Sequence, residues 1–467
     1  MMSLQQALSW VPSARLVGDG NVTPLRVHTD TRSLQVGDLF VALKGEHFDA
    51  HEFLTRAKAQ GAVGAIAQQG LLDAGLSGLE VSDSRLALGQ LAAGWRSQFS
   101  LPLVAVTGSN GKTTVTQMMA SILRAWKSDQ AFATEGNLNN DIGVPLTLLR
   151  LRASHQVGVV ELGMNHPGEI AYLAGLARPT VALVNNAQRE HLEFMETVEA
   201  VARENGSVIE ALDSSGTAVF PADDDYTPLW QGLAGARRVL TFSLTGPADL
   251  TAEARWTGNS WAVTAETPVG SLEFLLHIAG RHNVKNALAA SACALAAGVP
   301  PVFIPAGLAA FVPVKGRSRA VAVELSDRVV TLIDDTYNAN PDSMHAALGV
   351  LAELPGPRLL VMGDMGEVGD QGPQFHAEAG RQARALGIEK LFTLGEQSQG
   401  AASAFGQGRH FNDMAELTTA VLAELPALGS VLVKGSRFMK MERVVQSIAD
   451  RAQPVTPQNN KEAPHAA

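Results

Sequence analysis

With 467 residues, 46% of them hydrophobic and only 5% aromatic, the chain is long enough for about two to four domains, each with its own core. A formal net charge of −10 excludes a broad nucleic-acid surface, so an anionic ligand has to be held by local basic residues and helix ends. The single cysteine, Cys293, excludes an intramolecular disulfide and a cysteine metal cluster and fits a reducing compartment, while 44 glycines and 22 prolines suit α/β domains joined by many short turns.

The opening MMSLQQALSWVPSARL lacks a basic segment followed by an apolar one, so no export signal is expected and the chain should stay in the cytoplasm. Residues 1–100 read as a first unit. In it Asp30, Thr31, Arg32 and Ser33 lead into a turn at Gly37-Asp38, 39–43 reads as a strand, and 45–51, with Gly45, Asp49 and His51, as a polar loop. The pattern SRLALGQLAAGWRSQ predicts a closing helix, and 99–102 a linker.

The second unit, 101–312, begins with LPLVAVTGSNGKTTVTQMM. Its apolar run 103–106 predicts a buried strand, TGSNGKTT a glycine-rich turn, and Val115 onward a helix. That order makes a phosphate cradle from Gly108, Ser109, Asn110, Gly111, Lys112, Thr113 and Thr114. The glycines admit backbone N–H groups to a polyphosphate, Lys112 reaches the terminal phosphates, and the Thr113 hydroxyl can ligate Mg²⁺. A standard P-loop has glycine where this chain has Val106, so the loop is a variant TGxNGKTT form. Next, TEGNLNNDIGVP sets Thr134, Asn137, Asn139 and Asn140 on a tight backbone. A strand over 156–160 ends at Glu161, which puts a carboxylate at the strand end where α/β sheets bind ligands and makes it a natural Mg²⁺ ligand beside Thr113. The strand 180–184 leads to His191, a second-metal candidate at the start of a helical pattern. GRHNVKNALAA then places Asn283 and Asn286 one helical turn apart, where amides either cap the helix or hold a ribose or base. The uncharged run 287–314 is divided by Gly298, Pro300, Pro301, Pro305 and Pro313, which predicts an Ala-rich helix followed by a loop and no transmembrane segment.

The third unit, 313–452, alternates strand and helix. Its runs VVTLIDD, RLLVMGD, KLFTLG and SVLVKGS end at polar groups on one edge of a parallel sheet, the expected binding edge. The polar segment 453–467 reads as a disordered tail.

Taken together, TDTRSLQVGDLFVALKG, TGSNGKTT, TEGNLNNDIGVP, ELGMNHPGEI, GRHNVKNALAA, VKGRS, DDTYNANPDSM, VMGDMGEVG and VLVKGSRFMKMERVV closely resemble, in this order, the Mur ligases that build bacterial cell-wall precursors. The stretch 334–344 resembles the dipeptide-adding form. The resemblance implies three α/β domains: an N-terminal UDP-binding domain, a central P-loop ATPase domain with a parallel sheet, and a C-terminal Rossmann-like domain. It implies an ATP- and Mg²⁺-dependent ligase in which UDP-N-acetylmuramoyl-tripeptide is activated as an acyl phosphate and D-alanyl-D-alanine displaces phosphate, in a chain expected to be a monomer. Lys112, Glu161 and His191 would be catalytic, with metal on Thr113, Glu161 and His191. Asn283, Asn286, Arg317 and Asp335 would join the loop in holding ATP. Thr31, Arg32, Ser33, Gly45, Asp49 and His51 would hold the UDP end, and Thr134, Asn137, Asn139 and Asn140 the muramyl peptide. Tyr337 would pack near the ATP, while Asn338, Asn340, Pro341, Lys434, Ser436 and Arg437 would face the dipeptide and the peptide carboxylate. The enzyme rival is a related ligase, such as a folylpolyglutamate synthase, whose family lacks a comparable first unit, or another Mur enzyme; the rival from another class is a nucleotide-dependent binding or switch protein, or a family member that has lost catalysis.

The chain departs from its family at one place. Most Mur ligases carry, on the helix after the histidine loop, a lysine that CO₂ converts to a carbamate ligand for the second Mg²⁺. Here VEAVARENGSVIEAL puts Asn205 at that position. The expectation is a neutral, weaker metal ligand at Asn205, or help from Glu204, and activity indifferent to bicarbonate.

Overall fold

The computed structural model describes residues 1–46, 48–258, 260–325 and 328–451; the tail expected at 453–467 and His47 of the polar loop lie outside them. The chain divides into two compact units, Met1–His277 with Arg281–Val312, and a second from Pro313 onward that also takes Ile278–Gly280.

Three sheets organise these units. The first contains β1 (Arg15–Val17), β2 (Arg26–His28), β3 (Asp38–Val41), β4 (Gly64–Ala67) and β5 (Gly78–Glu80) in the order β1-β5-β4-β3-β2, parallel except for β1 against β5. The second has nine strands: β6 (Leu103–Thr107), β7 (Ala131–Ala133), β8 (Val157–Glu161), β9 (Val181–Val184), β10 (Thr217–Pro221), β11 (Arg238–Ser243), β12 (Leu250–Trp256), β13 (Trp261–Thr267) and β14 (Gly270–Leu276). Its order is β14-β13-β12-β11-β10-β9-β6-β8-β7, and the expected parallel sheet is continued by an antiparallel meander, β12 to β14. The third contains β15 (Arg319–Glu324), β16 (Val329–Asp335), β17 (Arg358–Gly363), β18 (Lys390–Leu394), β19 (Arg409–Phe411) and β20 (Ser430–Lys434), ordered β15-β16-β20-β17-β18-β19. Its edge strand β15 runs antiparallel to β16, so this sheet is mixed where the sequence pattern predicts a parallel one.

Burial explains the strand patterns. β6, β8 and β9 are buried at every position, as strands covered by helices on both faces must be, and this removes the alternation of a half-exposed strand. Two boundaries differ from the sequence expectation. The helix after the phosphate loop begins at Lys112, not Val115, because Gly111 takes the left-handed conformation and starts the helix directly. The loop expected after the Ala-rich helix Arg281–Ala296 contains a further short helix, Phe303–Ala309, packed so closely that a Cβ on Gly307 would lie 2.3 Å from the Ile122 Cα.

The first and second sheets share one hydrophobic core, running from Leu4 through Leu91 and Leu103 to Trp230. Polar ties reinforce it. On the helix Ser84–Arg96, the Trp95 indole donates to the Leu151 carbonyl at 3.1 Å, and the buried Arg96 guanidinium donates to the Ala177, Phe99 and Arg178 carbonyls. No helix of the described residues is long and apolar enough to cross a membrane.

Candidate active site

Sheet order assembles the site. β6 pairs in parallel with β8 on one side, Val106 opposite Glu161, and with β9 on the other, Thr107 opposite Val184. The loop leaving β6 therefore meets the residues leaving both neighbours at the same carboxyl edge, where parallel α/β sheets place their ligands.

On the β8 side, the Thr113 hydroxyl donates to Glu161 Oε1 at 2.9 Å, and the Asn139 amide donates to the same oxygen at 2.8 Å. Thr134 accepts from the Glu161 N–H at 3.0 Å. Glu161 Oε2 is buried with no hydrogen-bond partner. An orphaned carboxylate oxygen beside a hydroxyl at a helix N-terminus fits Mg²⁺, which takes one or two protein ligands and fills its remaining positions with phosphate and water. Asn140 is engaged locally, its side-chain oxygen accepting from the Gly143 N–H at 2.8 Å where the helix Gly143–Leu148 begins, and Asn137 is exposed.

On the β9 side lies a group that the sequence reading passed over. Asn185 Nδ2 donates to the Asn110 carbonyl at 2.8 Å and to Asn286 Oδ1 at 2.9 Å, and Asn286 in turn donates to Asn283 Oδ1 at 2.9 Å. The two amides of the Ala-rich helix thus back the phosphate loop through Asn185. A Cβ on Gly111 would lie 2.6 Å from both the Asn185 and the Asn286 amides, so that glycine is required by this approach as well as by its positive φ. The Asn186 carbonyl and side-chain oxygen accept from the N–H groups of Ser109 and Asn110, at 3.1 and 2.8 Å.

Glu190, also absent from the sequence reading, lies in the loop leaving β9. Its Oε1 is 2.9 Å from the Lys112 ammonium, which donates as well to the Gly108 and Ser109 carbonyls at 2.7 and 3.0 Å. His191 Nε2 is 3.4 Å from the same oxygen. Burial opposes ionisation of Glu190, but the Lys112 charge and the His191 ring outweigh it and hold the carboxyl below its ordinary range. The structure therefore joins Thr113 to Glu161 and His191 to Glu190 and Lys112. Among the described residues it forms no group of three His, Cys, Asp or Glu that could hold a metal ion. The signal for Glu190 was its place beside His191 after a strand end.

The departure at 205 is resolved differently from the expectation. Asn205 Oδ1 does not face an open site: it accepts from the Thr107 hydroxyl at 2.6 Å and from the Gly108 N–H at 3.0 Å. Glu204 is committed elsewhere, its two oxygens accepting from the Gly168 and Ile170 N–H groups at 2.8 and 2.7 Å where the helix Glu169–Ala177 begins. Neither is placed as a spare metal ligand.

Around the first sheet, Thr31 is buried, the Ser33 hydroxyl lies 2.8 Å from His28 Nε2, and Arg32 pairs with Asp30, holding its carboxyl down at about 2. His51 Nε2 accepts from the Gln68 N–H at 2.9 Å, so Nδ1 carries the proton and donates to Asp49 at 2.5 Å. A Cβ on Gly45 would lie 2.7 Å from the ring of Phe48, an exposed aromatic.

The second unit gathers its own set. Asp335 accepts from the Ser318 N–H at 2.9 Å and from Lys434 at 2.6 Å; Lys434 also donates to the Asn338 carbonyl at 3.0 Å, and Ser436 to that of Ala339 at 3.1 Å. The Arg317 guanidinium lies 3.9 Å from the Tyr337 ring centre, with the exposed Arg437 at 5.9 Å. Asn340, expected at the dipeptide, also caps a helix: its side-chain oxygen accepts from the Ser343 N–H at 2.8 Å in a capping box, with Pro341 opening the helix Pro341–Ala352.

Known proteins resemble the chain over most of its length. Residues 106–294 match the Mur ligase middle domain, and 317–437 the Mur ligase glutamate ligase domain. The chain is 44% identical over 435 residues to the UDP-N-acetylmuramoyl-tripeptide–D-alanyl-D-alanine ligase of Escherichia coli K12, covering 92% of this chain and 95% of that one. The chain belongs to the Mur ligase family. Among solved structures, MurF of Acinetobacter baumannii superposes with a TM-score of 0.89 at 36% identity, covering 96% of this chain and 99% of that one. The MurF ligase of Thermotoga maritima in complex with ADP superposes at 0.80 and 26% identity, covering 91% and 97%. The α/β architecture expected from the sequence is present.

Proposed function

We propose that this Mur ligase joins D-alanyl-D-alanine to UDP-N-acetylmuramoyl-tripeptide at the expense of ATP, in peptidoglycan precursor synthesis. The observation that carries the reading is the phosphate loop, with Lys112 at its mouth and the Thr113–Glu161 pair at its base. The terminal carboxylate of the tripeptide attacks the γ-phosphorus of ATP; the bond to the ADP oxygen breaks, giving an acyl phosphate and ADP. The dipeptide amine then attacks the acyl carbon, loses a proton and expels inorganic phosphate. Such chemistry needs in-line positioning and neutralisation of phosphate charge.

Lys112 leaves its loop carbonyls and Glu190 for the terminal phosphates, and the first-turn N–H groups of the helix Lys112–Lys127, which lack intrahelical acceptors, face the polyphosphate. Thr113 and Glu161 would hold Mg²⁺, which would supply charge neutralisation, while His191 and Glu190 lie on the other side of the loop. Asn283 and Asn286 brace the loop, while Arg317, Asp335 and Tyr337 bring the second unit's contribution to ATP. Residues 1–100 bind the UDP-muramyl substrate through Thr31–Ser33 and 45–51, residues 101–312 bind ATP and the muramyl peptide near Thr134 and Asn139, and residues 313–452 bring the dipeptide site. Lys434, Ser436 and the Asn340 cap shape the turn 335–341, and Arg437 stands exposed at its edge for a carboxylate. The enzyme acts as a cytoplasmic monomer. The decisive assay is phosphate release: ADP and phosphate should form only when UDP-muramyl-tripeptide and D-alanyl-D-alanine are both present, and release with neither substrate would overturn the reading.

A further inference from the structure

Asn205 is an amide in the interior of the helix Val198–Glu210, where asparagine is a poor helix former, and it is 1% exposed. A buried amide is tolerated when its donors and acceptor are bonded. Its Nδ2 donates to the Val201 carbonyl one turn back, at 3.0 Å. Because that carbonyl can only accept, the NH₂ group is fixed on the helix side and Oδ1 is aimed at the Thr107 hydroxyl and the Gly108 N–H.

Those two groups are the last residue of β6 and the first of the phosphate loop. The Thr107–Gly108 peptide is held from the other side too, since the Thr107 carbonyl accepts from the Asn185 N–H at 2.9 Å. Gly108 has φ +125°, and a Cβ there would lie 2.9 Å from the Asn185 nitrogen. The helix that carries Asn205 is itself locked: the Trp230 indole donates to the Ala202 carbonyl at 3.0 Å, and a Cβ on Gly206 would lie 2.5 Å from Leu233. A rigid helix, an oriented amide and the entry peptide of the loop form one chain of contacts.

We propose that Asn205 is a positioning residue, a neutral strut that fixes where the phosphate loop leaves β6 and so where the helix Lys112–Lys127 and Lys112 meet the nucleotide. It acts through Thr107 and Gly108 and touches neither substrate nor metal. The inference rests on the phosphate-loop reading given above.

The test uses the full-length enzyme with Asn205→Leu, Thr107→Val, the double variant and Thr107→Ser. Asn205→Leu should lower kcat/KM for ATP about ten- to a hundredfold and weaken Mg-ADP binding by a similar factor, with KM for D-alanyl-D-alanine unchanged. Thr107→Val should lose less, Thr107→Ser should stay near wild type, and the double variant should be no worse than Asn205→Leu alone, because both changes remove the same link. A purely structural role would lower the melting temperature and the active fraction while leaving KM for ATP and Mg-ADP affinity as they are, and that result, or full additivity of the two changes, overturns the strut. If wild-type enzyme does not bind Mg-ADP, the phosphate-loop reading fails and this inference falls with it.

Discussion

The protein sets a lysine against a carboxylate at the carboxyl edge of each of its two larger sheets, and the two pairs are built for different work. Lys112 comes from the first residue of a helix, bends back onto two carbonyls of its own loop, and keeps 14% of its side chain exposed beside Glu190. Lys434 is the last residue of a central strand, stands directly opposite Asp335 in the β16–β20 register, and is 3% exposed. The first ammonium is held by groups a phosphate can replace. The second is part of a truss that shapes the turn after β16. A cation at a helix start can be handed to a ligand, whereas one fixed across a strand pair cannot leave without opening the sheet.

Substitution separates the two most sharply. Lys112→Ala should abolish ligation, a loss on the order of 10²–10³ in rate or more, while the enzyme still folds. Near-normal turnover in the coupled phosphate-release assay would remove Lys112 from catalysis. Lys434→Ala leaves the half-buried Asp335 carboxylate with only the Ser318 N–H and hydroxyl as partners, so thermal or urea unfolding should show a loss of about 2 kcal/mol. Unchanged stability would mean that Lys434 is no truss.

Two smaller changes refine the picture of the second unit. Asn340→Ala should destabilise it by about 1 kcal/mol through loss of the capping box, and Asn340→Asp should recover most of this, as unfolding curves would show. If instead KM for D-alanyl-D-alanine rises with stability unchanged, Asn340 contacts substrate directly. The second concerns His376, which is fully buried, accepts from the Met365 N–H at 2.9 Å and donates to the Gly372 carbonyl at 2.7 Å. Burial lowers its folded-state pKa below the unfolded 6.5, despite the Gly372 carbonyl and Asp364. The unfolded chain then takes up more protons than the folded one, so this contribution is complete above pH 6.5 and is lost as pH falls below it. Melting temperatures from pH 7.5 down to 5.5 should fall more in wild type than in His376→Gln; parallel curves would exclude His376 as the cause.

The smallest effect is expected from bicarbonate. Since the Asn205 amide already binds Thr107 and Gly108, activity should be the same in degassed and bicarbonate-supplemented buffer. A loss on degassing that bicarbonate restores would place a carbamate on a lysine elsewhere.

What could be read from the sequence was what chain order alone encodes. The strand, glycine turn and helix of 103–127 follow one another locally, Glu161 ends its strand because apolar residues precede it, and the motif order carries the family. Even the amides at 283 and 286 could be placed on one helix face, but not their use. That was decided by contacts between residues far apart in the chain: Lys112 and Glu190 are 78 positions apart, Thr107 and Asn205 98. Their meeting depends on β9 lying beside β6 and on Trp230 seating the helix Val198–Glu210, and neither leaves a local pattern. Asn340 shows the same limit at short range, since a capping asparagine and a substrate-binding asparagine look alike until the Ser343 N–H is seen to face its oxygen. Sequence fixes which groups the chain can offer at a strand end; the tertiary fold decides which of them are already occupied by the protein, because hydrogen-bond partners are assigned by packing and not by order.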